Sequence, residues 1–268
     1  MPFFPLLSTN KAVGFTSVYN FSPNNWENHK SETKTVWALY SDGRNWKTKK
    51  LDTLNPGESK TYYYNDLLEN GESKTQPLIL LQLRKTPLAE KLDQLPSQEF
   101  IYTKTPEWRA TVGLNLLDSQ TSYQGEINPF PQKASLLTFH PFIQQKRVKN
   151  YFLFINAEKL PAYRESSIEI YEANSSKFID EIKVFGNHAN LIELDHYSFS
   201  STDLPVFISR TMAGIPFGLG ISMDNEMLSL EHTHPPASFA VHGERFKVQA
   251  EIKRRWFNTL KHKNESIN

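Results

Sequence analysis

The chain has 268 residues, with 30 Lys plus Arg against 29 Asp plus Glu, so no field of a single sign recruits nucleic acid or an anionic membrane from a distance. It has no cysteine, which excludes a disulfide framework, a thiolate metal site and a cysteine nucleophile. Hydrophobic residues at 38%, charged residues at 22% and aromatics at 13% describe a folded chain, long enough for one large domain or two ordinary ones and biased toward strands.

The first residues, MPFFPLLSTNK, are apolar over a short span, carry two prolines and lack a basic region ahead of the apolar part, so they fail as a secretory signal. No apolar stretch approaches the roughly 18 residues of a membrane span. With no cysteine either, the expected location is cytoplasmic.

Further along, landmarks of the first half recur in the same order in the second, which predicts an internal duplication. Val18 to Pro23 resembles Leu136 to Pro141, each an apolar run closed by Phe-x-Pro. Two aromatic, strand-like runs follow, Thr35 to Tyr40 and Asn150 to Ile155, each entering a polar turn. Gly57 to Asp66 and Gly186 to Asp195 share one spacing, from a turn glycine to an aspartate. Gly113 to Glu126 and Gly218 to Glu231 are both thirteen positions apart. Strand-like runs fill the intervals: Leu78 to Leu83, Ser167 to Tyr171, Phe178 to Val184, Leu191 to Leu194 and Pro205 to Ile208. Of these, SIEIYE at 167–172 alternates, as a strand with one buried and one wet face does.

These readings predict an all-β chain of two tandem antiparallel β-sandwiches. The first covers 1–130, with an insertion near 85–112 in which PLAEKLDQLP forms one helical turn or a loop, and the second covers 131–242. NPFPQK at 128–133 is the stiff connector. In the tail, 243–268, Phe246, Ala250, Ile252, Trp256 and Leu260 form an apolar stripe, while Lys253, Arg254, Lys261 and Lys263 lie elsewhere. This predicts an amphipathic C-terminal helix packed on the second sandwich.

The order of segments from Tyr151 to Arg210 resembles the small β-sandwich of the sensory rhodopsin transducer proteins. It comprises an apolar run into Asn156-Ala157, the strand pair SIEIYEANSSKFIDEIKV, a strand ending at Asp195, then Leu204 to Ile208. The resemblance implies an immunoglobulin-like sandwich and self-association or ligand binding. It implies no catalytic residue.

Chemistry concentrates in SLEHTHPPASFAVHGERF, 229–246. His232 and His234 at i and i+2 share a face of an extended segment, a spacing at which two imidazoles can hold one metal such as zinc. His242 is the candidate third ligand, and Glu231 or Glu244 the candidate proton carrier. In a regular strand, however, Glu231 points away from both histidines. No P-loop, dinucleotide fingerprint or Gly-x-Ser-x-Gly elbow is present, and AGIPFGLG reads as a turn entering a strand. Core packing is likewise the simpler reading of Tyr62-Tyr63-Tyr64. Two functions follow from the sequence. One is a non-enzymatic binding protein, with a glycan, small molecule, protein or second copy of itself as partner, using Phe217, His232, His234, His242 and Arg245. The other is a metal-dependent hydrolase or lyase centred on His232, His234 and His242. Nucleic-acid binding would fall to Lys253, Arg254 and Arg255, against the neutral overall charge.

Overall fold

A computed structural model of the chain describes residues 3–7, 9–20, 32–67, 77–97, 110–140, 143, 147–200, 202–232 and 245–260, with backbone alone for 245–249. The first half contains β1 (Phe4–Leu6), β2 (Val13–Tyr19), β3 (Lys34–Ser41), β4 (Trp46–Leu54), β5 (Ser59–Tyr63), the single turn α1 (Tyr64–Leu67), β6 (Ile79–Arg84), β7 (Lys91–Leu92), β8 (Ala110–Leu116) and β9 (Ser119–Gly125). The second contains β10 (Leu136–Phe139), β11 (Val148–Ile155), β12 (Glu165–Glu172), β13 (Lys177–Phe185), β14 (Ala189–Glu193), β15 (Pro205–Ser209), β16 (Ile215–Ser222), β17 (Leu228–His232) and the helix α2 (Arg245–Thr259). The chain is all-β, as its composition and patterning require. No helix among the described residues is long and apolar enough to cross a membrane.

The strands pair antiparallel in four sheets. In the first half the orders are β1-β6-β3-β4-β7 and β5-β2-β8-β9; in the second they are β10-β15-β12-β13 and β14-β11-β16-β17. Matched strand for strand from β1 and β10 onward, the two halves have the same order, and among the described residues β7 is the one addition. The added strand lies within the expected insertion. PLAEKLDQLP forms no helical turn there, because Lys91 and Leu92 pair with Lys47 and Trp46 and extend the sheet edge.

The pairing corrects some of the landmarks. β2 is an inner strand and β10 an edge strand, so in strand order β2 matches β11, and β3, which holds Thr35 to Tyr40, matches β12. Of the two Phe-x-Pro motifs, Phe21 to Pro23 and Pro141 lie outside the described residues. The third landmark joins strands at matching places in the two orders, β5 and β14, one residue out of step: Asn20 N–H donates to Glu58 O as Asn156 N–H donates to His188 O, which sets 58 against 188. The residue preceding each acceptor, Gly57 or Asn187, has positive φ, +86° and +59°. Glycine enters that region freely, and asparagine is among the few other residues that tolerate it.

The hydrophobic patterns follow from which sheet faces are covered. Asn150 to Ile155 is apolar without alternation because both faces of β11 are buried. Phe152 and Phe154 point into the second sandwich with Ile168, Ile170 and Phe207. Tyr151, Leu153 and Ile155, with Phe217, Leu219 and Ile221 of β16, join the core of the first half, where Leu39, Trp46, Leu80, Val112 and Leu114 lie. One core therefore runs through both halves.

The wet face expected for SIEIYE is also covered. Glu169 and Tyr171 are buried along with Ile168 and Ile170, because α2 and the residue after it close that side of the sheet. Leu260 is fully buried against Leu137, Tyr171, Val206 and Ile208, and Trp256 meets Phe139 edge to face at 5.1 Å. The contacting stripe is rotated from the expected one. Ala250 is exposed, whereas Lys253 is part-buried and donates to Ser135 O at 2.9 Å. Arg254 and Arg255 face solvent, and Arg255 pairs with Glu251 one turn away. In the tyrosine run, Tyr62 and Tyr64 are buried and Tyr63 is partly exposed.

Candidate functional site

The β16–β17 hairpin positions the start of the histidine-rich segment. Along β17, Leu228, Leu230 and His232 turn to the half-covered face, whereas Ser229 and Glu231 are exposed. His232 stands opposite Phe217 in the ladder, their rings 5.4 Å apart, and Tyr123 of β9 lies 5.9 Å from His232 and 4.9 Å from Phe217. The three rings form a cluster where the halves meet. The Tyr123 phenol oxygen is buried without a hydrogen-bond partner among the described residues, and burial pushes its pKa upward.

Phe217, a candidate ligand contact, is fully buried and belongs to the core. Glu231 is exposed and faces away from His232, as the strand period requires. His234, His242 and Glu244 lie outside the described residues, and so does the side chain of Arg245, the first residue of α2. Of the proposed metal ligands, the structure therefore places His232 alone.

The equal spacing of the two glutamates has no common structural basis. Gly218 faces Glu231 in its ladder, but Gly113 faces Ser122, and Glu126 lies beyond the end of β9. The β8–β9 turn is short, whereas β16 and β17 are joined by a longer loop at 223–227. Two glycines of AGIPFGLG have packing reasons. A Cβ on Gly220 would fall 2.6 Å from both Ile143 and Ser229 side chains, and one on Gly214 would fall 2.4 Å from Ile155 O.

A dense hydrogen-bond network lies elsewhere, where the β11–β12 loop, residues 156–164, brackets the first half. Asn156 is fully buried; its amide donates to Ala213 O at 2.6 Å and its Oδ1 accepts from Asn187 N–H at 3.2 Å. Asn187 completes the staple by donating to Leu160 O and Ala162 O and accepting from Glu158 N–H. Glu158, with only 3% of its side chain exposed, forms a two-point ion pair with Arg164. Two short chain segments thereby become one rigid bracket.

That bracket docks through polar contacts. Trp46 Nε1 donates to Lys159 O at 3.1 Å and Leu95 N–H to the same oxygen at 2.8 Å. The Tyr163 phenol donates to Ser41 O, and the Ser41 hydroxyl to Pro161 O. Beside these contacts lies a cleft of ≈ 610 Å³. Phe3, Leu92, Leu95, Pro96, Pro129 and Leu160 give it an apolar lining, and Asp93, Gln94, Ser97 and Lys159 supply polar groups.

The sequence places candidate binding residues on the loops near EHTHPP, of which 233–244 lie outside the described residues, and does not single out this seam. Two signals were present: the insertion PLAEKLDQLP, which supplies one wall, and the Asn-Ala-Glu turn, which begins the other. The first half carries a related asparagine after β2. Asn20 is fully buried, donates to Leu54 O and Glu32 O, and accepts from Lys34. Comparison of the chain with protein-family models, curated proteins and solved structures gave no match, so what can be said of its function rests on this geometry.

Proposed function

We propose that the chain is a non-enzymatic binding protein, built from two immunoglobulin-like sandwiches that arose by duplication, and that its ligand enters the cleft on their seam. The carrying observation is the cleft itself, ≈ 610 Å³ with apolar walls and four polar side chains, within the size range of small-molecule and short-peptide sites. Its walls come from segments held by hydrogen bonds across the seam, so the site is preformed and little ordering entropy opposes binding. The identical strand order of the halves and the paired asparagines, Asn20 and Asn156, support the duplication.

Ligand-observed NMR with a fragment library and a set of short peptides tests this reading. Binders should lose their signal changes with Leu160→Asp or Lys159→Glu at the cleft rim. Fragments that bind wild type and both variants alike would place the site elsewhere. The metal-dependent alternative requires His234 and His242 to reach His232, whose ring lies against Tyr123 and Phe217. Elemental analysis of untagged protein decides it. Stoichiometric zinc that disappears on replacing His232 and His234 with alanine would establish the metal reading, and metal-free protein would remove it.

A further inference from the structure

His188 occupies the turn between β13 and β14 and is 3% exposed. Its Nδ1 lies 2.9 Å from Gly186 O. A carbonyl only accepts, so Nδ1 carries the proton, and Nε2 presents a lone pair in the neutral ring. That Nε2 is buried and has no hydrogen-bond partner among the described residues. Its surroundings are aromatic, with Tyr163 edge-on at 4.4 Å and Phe185 tilted at 5.8 Å.

The residue also lies on the seam. His188 forms a backbone bridge with Pro77, and Leu78 N–H donates to Asn187 O at 3.0 Å, both joining the second half to the first. Tyr163, which covers the ring, is itself bonded across the seam to Ser41. We propose that His188 is an acid-operated latch: neutral, it lets the 77–78 and 186–188 segments close on one another, and doubly protonated, it parts them and loosens the wall of the seam.

The second proton must reside on Nε2, where a buried N–H⁺ would have no acceptor, and leaving such a charge unpaired in the interior is strongly unfavourable. Among the described residues, no neighbouring group offers relief. On the bracket, the Glu158 carboxylate packs near Gly186 but is engaged by Arg164, and the Tyr163 phenol is engaged by Ser41. From the first half, the Asp42 charge acts on the Tyr163 phenol, and the Tyr64 phenol donates to Pro77 O. On β13, Lys183 lies over the Phe185 ring and adds positive charge.

Burial holds the His188 pKa below the usual histidine value, with the bond to Gly186 opposing it. The sign follows: the open seam binds the proton more tightly. The latch therefore contributes fully above the ordinary value, near pH 6.5, and its contribution shrinks as pH falls below that toward the lowered value of the closed state. This holds whether or not the cleft takes a ligand.

Hydrogen exchange at the Leu78 amide reads the latch directly. In wild type its protection factor should fall between about pH 7.5 and 5.5, by up to about tenfold, while amides in the β11–β16 ladder stay protected. In His188→Phe, and in His188→Gln as a second variant, Leu78 protection should be independent of pH over the same range. The proposal is overturned if these variants keep the wild-type pH dependence. It is also overturned if Leu78 and the β11–β16 amides lose protection together, or if the dependence vanishes instead on replacing His140, the buried histidine stacked on Phe207.

Discussion

Asn156 shows how much one buried amide can organise. Its three polar partners or neighbours, Ala213 O, Asn187 N and His188 O, lie in turns distant in sequence, and all become dry once the bracket closes. Asn156→Ala strands a carbonyl and an N–H, so urea denaturation should show a loss of about 2–4 kcal/mol. Glu169 is a second case. It is 3% exposed, pairs with Arg210 at 2.9 Å and accepts from the Tyr171 phenol, while Arg210 also donates to Leu260 O at the end of the helix. Glu169→Ala alone should cost about 3 kcal/mol, and Glu169→Ala with Arg210→Met should recover most of it, because the single change leaves a half-buried cation unpaired. Neither role was legible from residue type. Asn156 reads as an ordinary turn residue and Glu169 as the wet position of an alternating strand, since their partners come from elsewhere in the chain.

Elements were more legible than the contacts between them. The runs expected at 167–171, 178–184 and 205–208 lie within β12, β13 and β15, because β-branched and aromatic residues in short runs between turns have few other stable arrangements. Hairpin register escaped, and turn length is the reason. Leu117 in the β8–β9 turn has φ of +51° and is 78% exposed, a position that glycine fills without strain. Leu117→Gly should therefore raise stability by about 1 kcal/mol in thermal or urea unfolding. The longer β16–β17 loop shifts Glu231 to a different ladder position from Glu126, so equal sequence spacing did not mean equal structure.

For the whole molecule, the decisive feature is the core that crosses from one half to the other. The face formed by Leu153, Ile155, Phe217, Leu219 and Ile221 is buried against first-half residues. A fragment comprising 131–268 would expose it, and a patch of that kind drives association. The fragment should elute as oligomers in size-exclusion chromatography, and Leu153→Asp with Leu219→Asp should restore the monomer. The intact chain should unfold in a single transition by near- and far-ultraviolet circular dichroism, since neither half completes its packing alone.

By itself, the sequence determined that the chain is all-β, where most strands lie, that a helix closes it, and that no cysteine chemistry is involved. Those properties are local, set by side-chain period, turn residues and composition. Tertiary structure decided which strands match in order, which faces are covered, and that a cleft opens at the seam between the halves. The physical reason is that burial is a property of pairs of surfaces. A strand such as SIEIYE encodes its own alternation, but whether its polar face meets water or a helix depends on residues some ninety positions away, at Trp256 and Leu260.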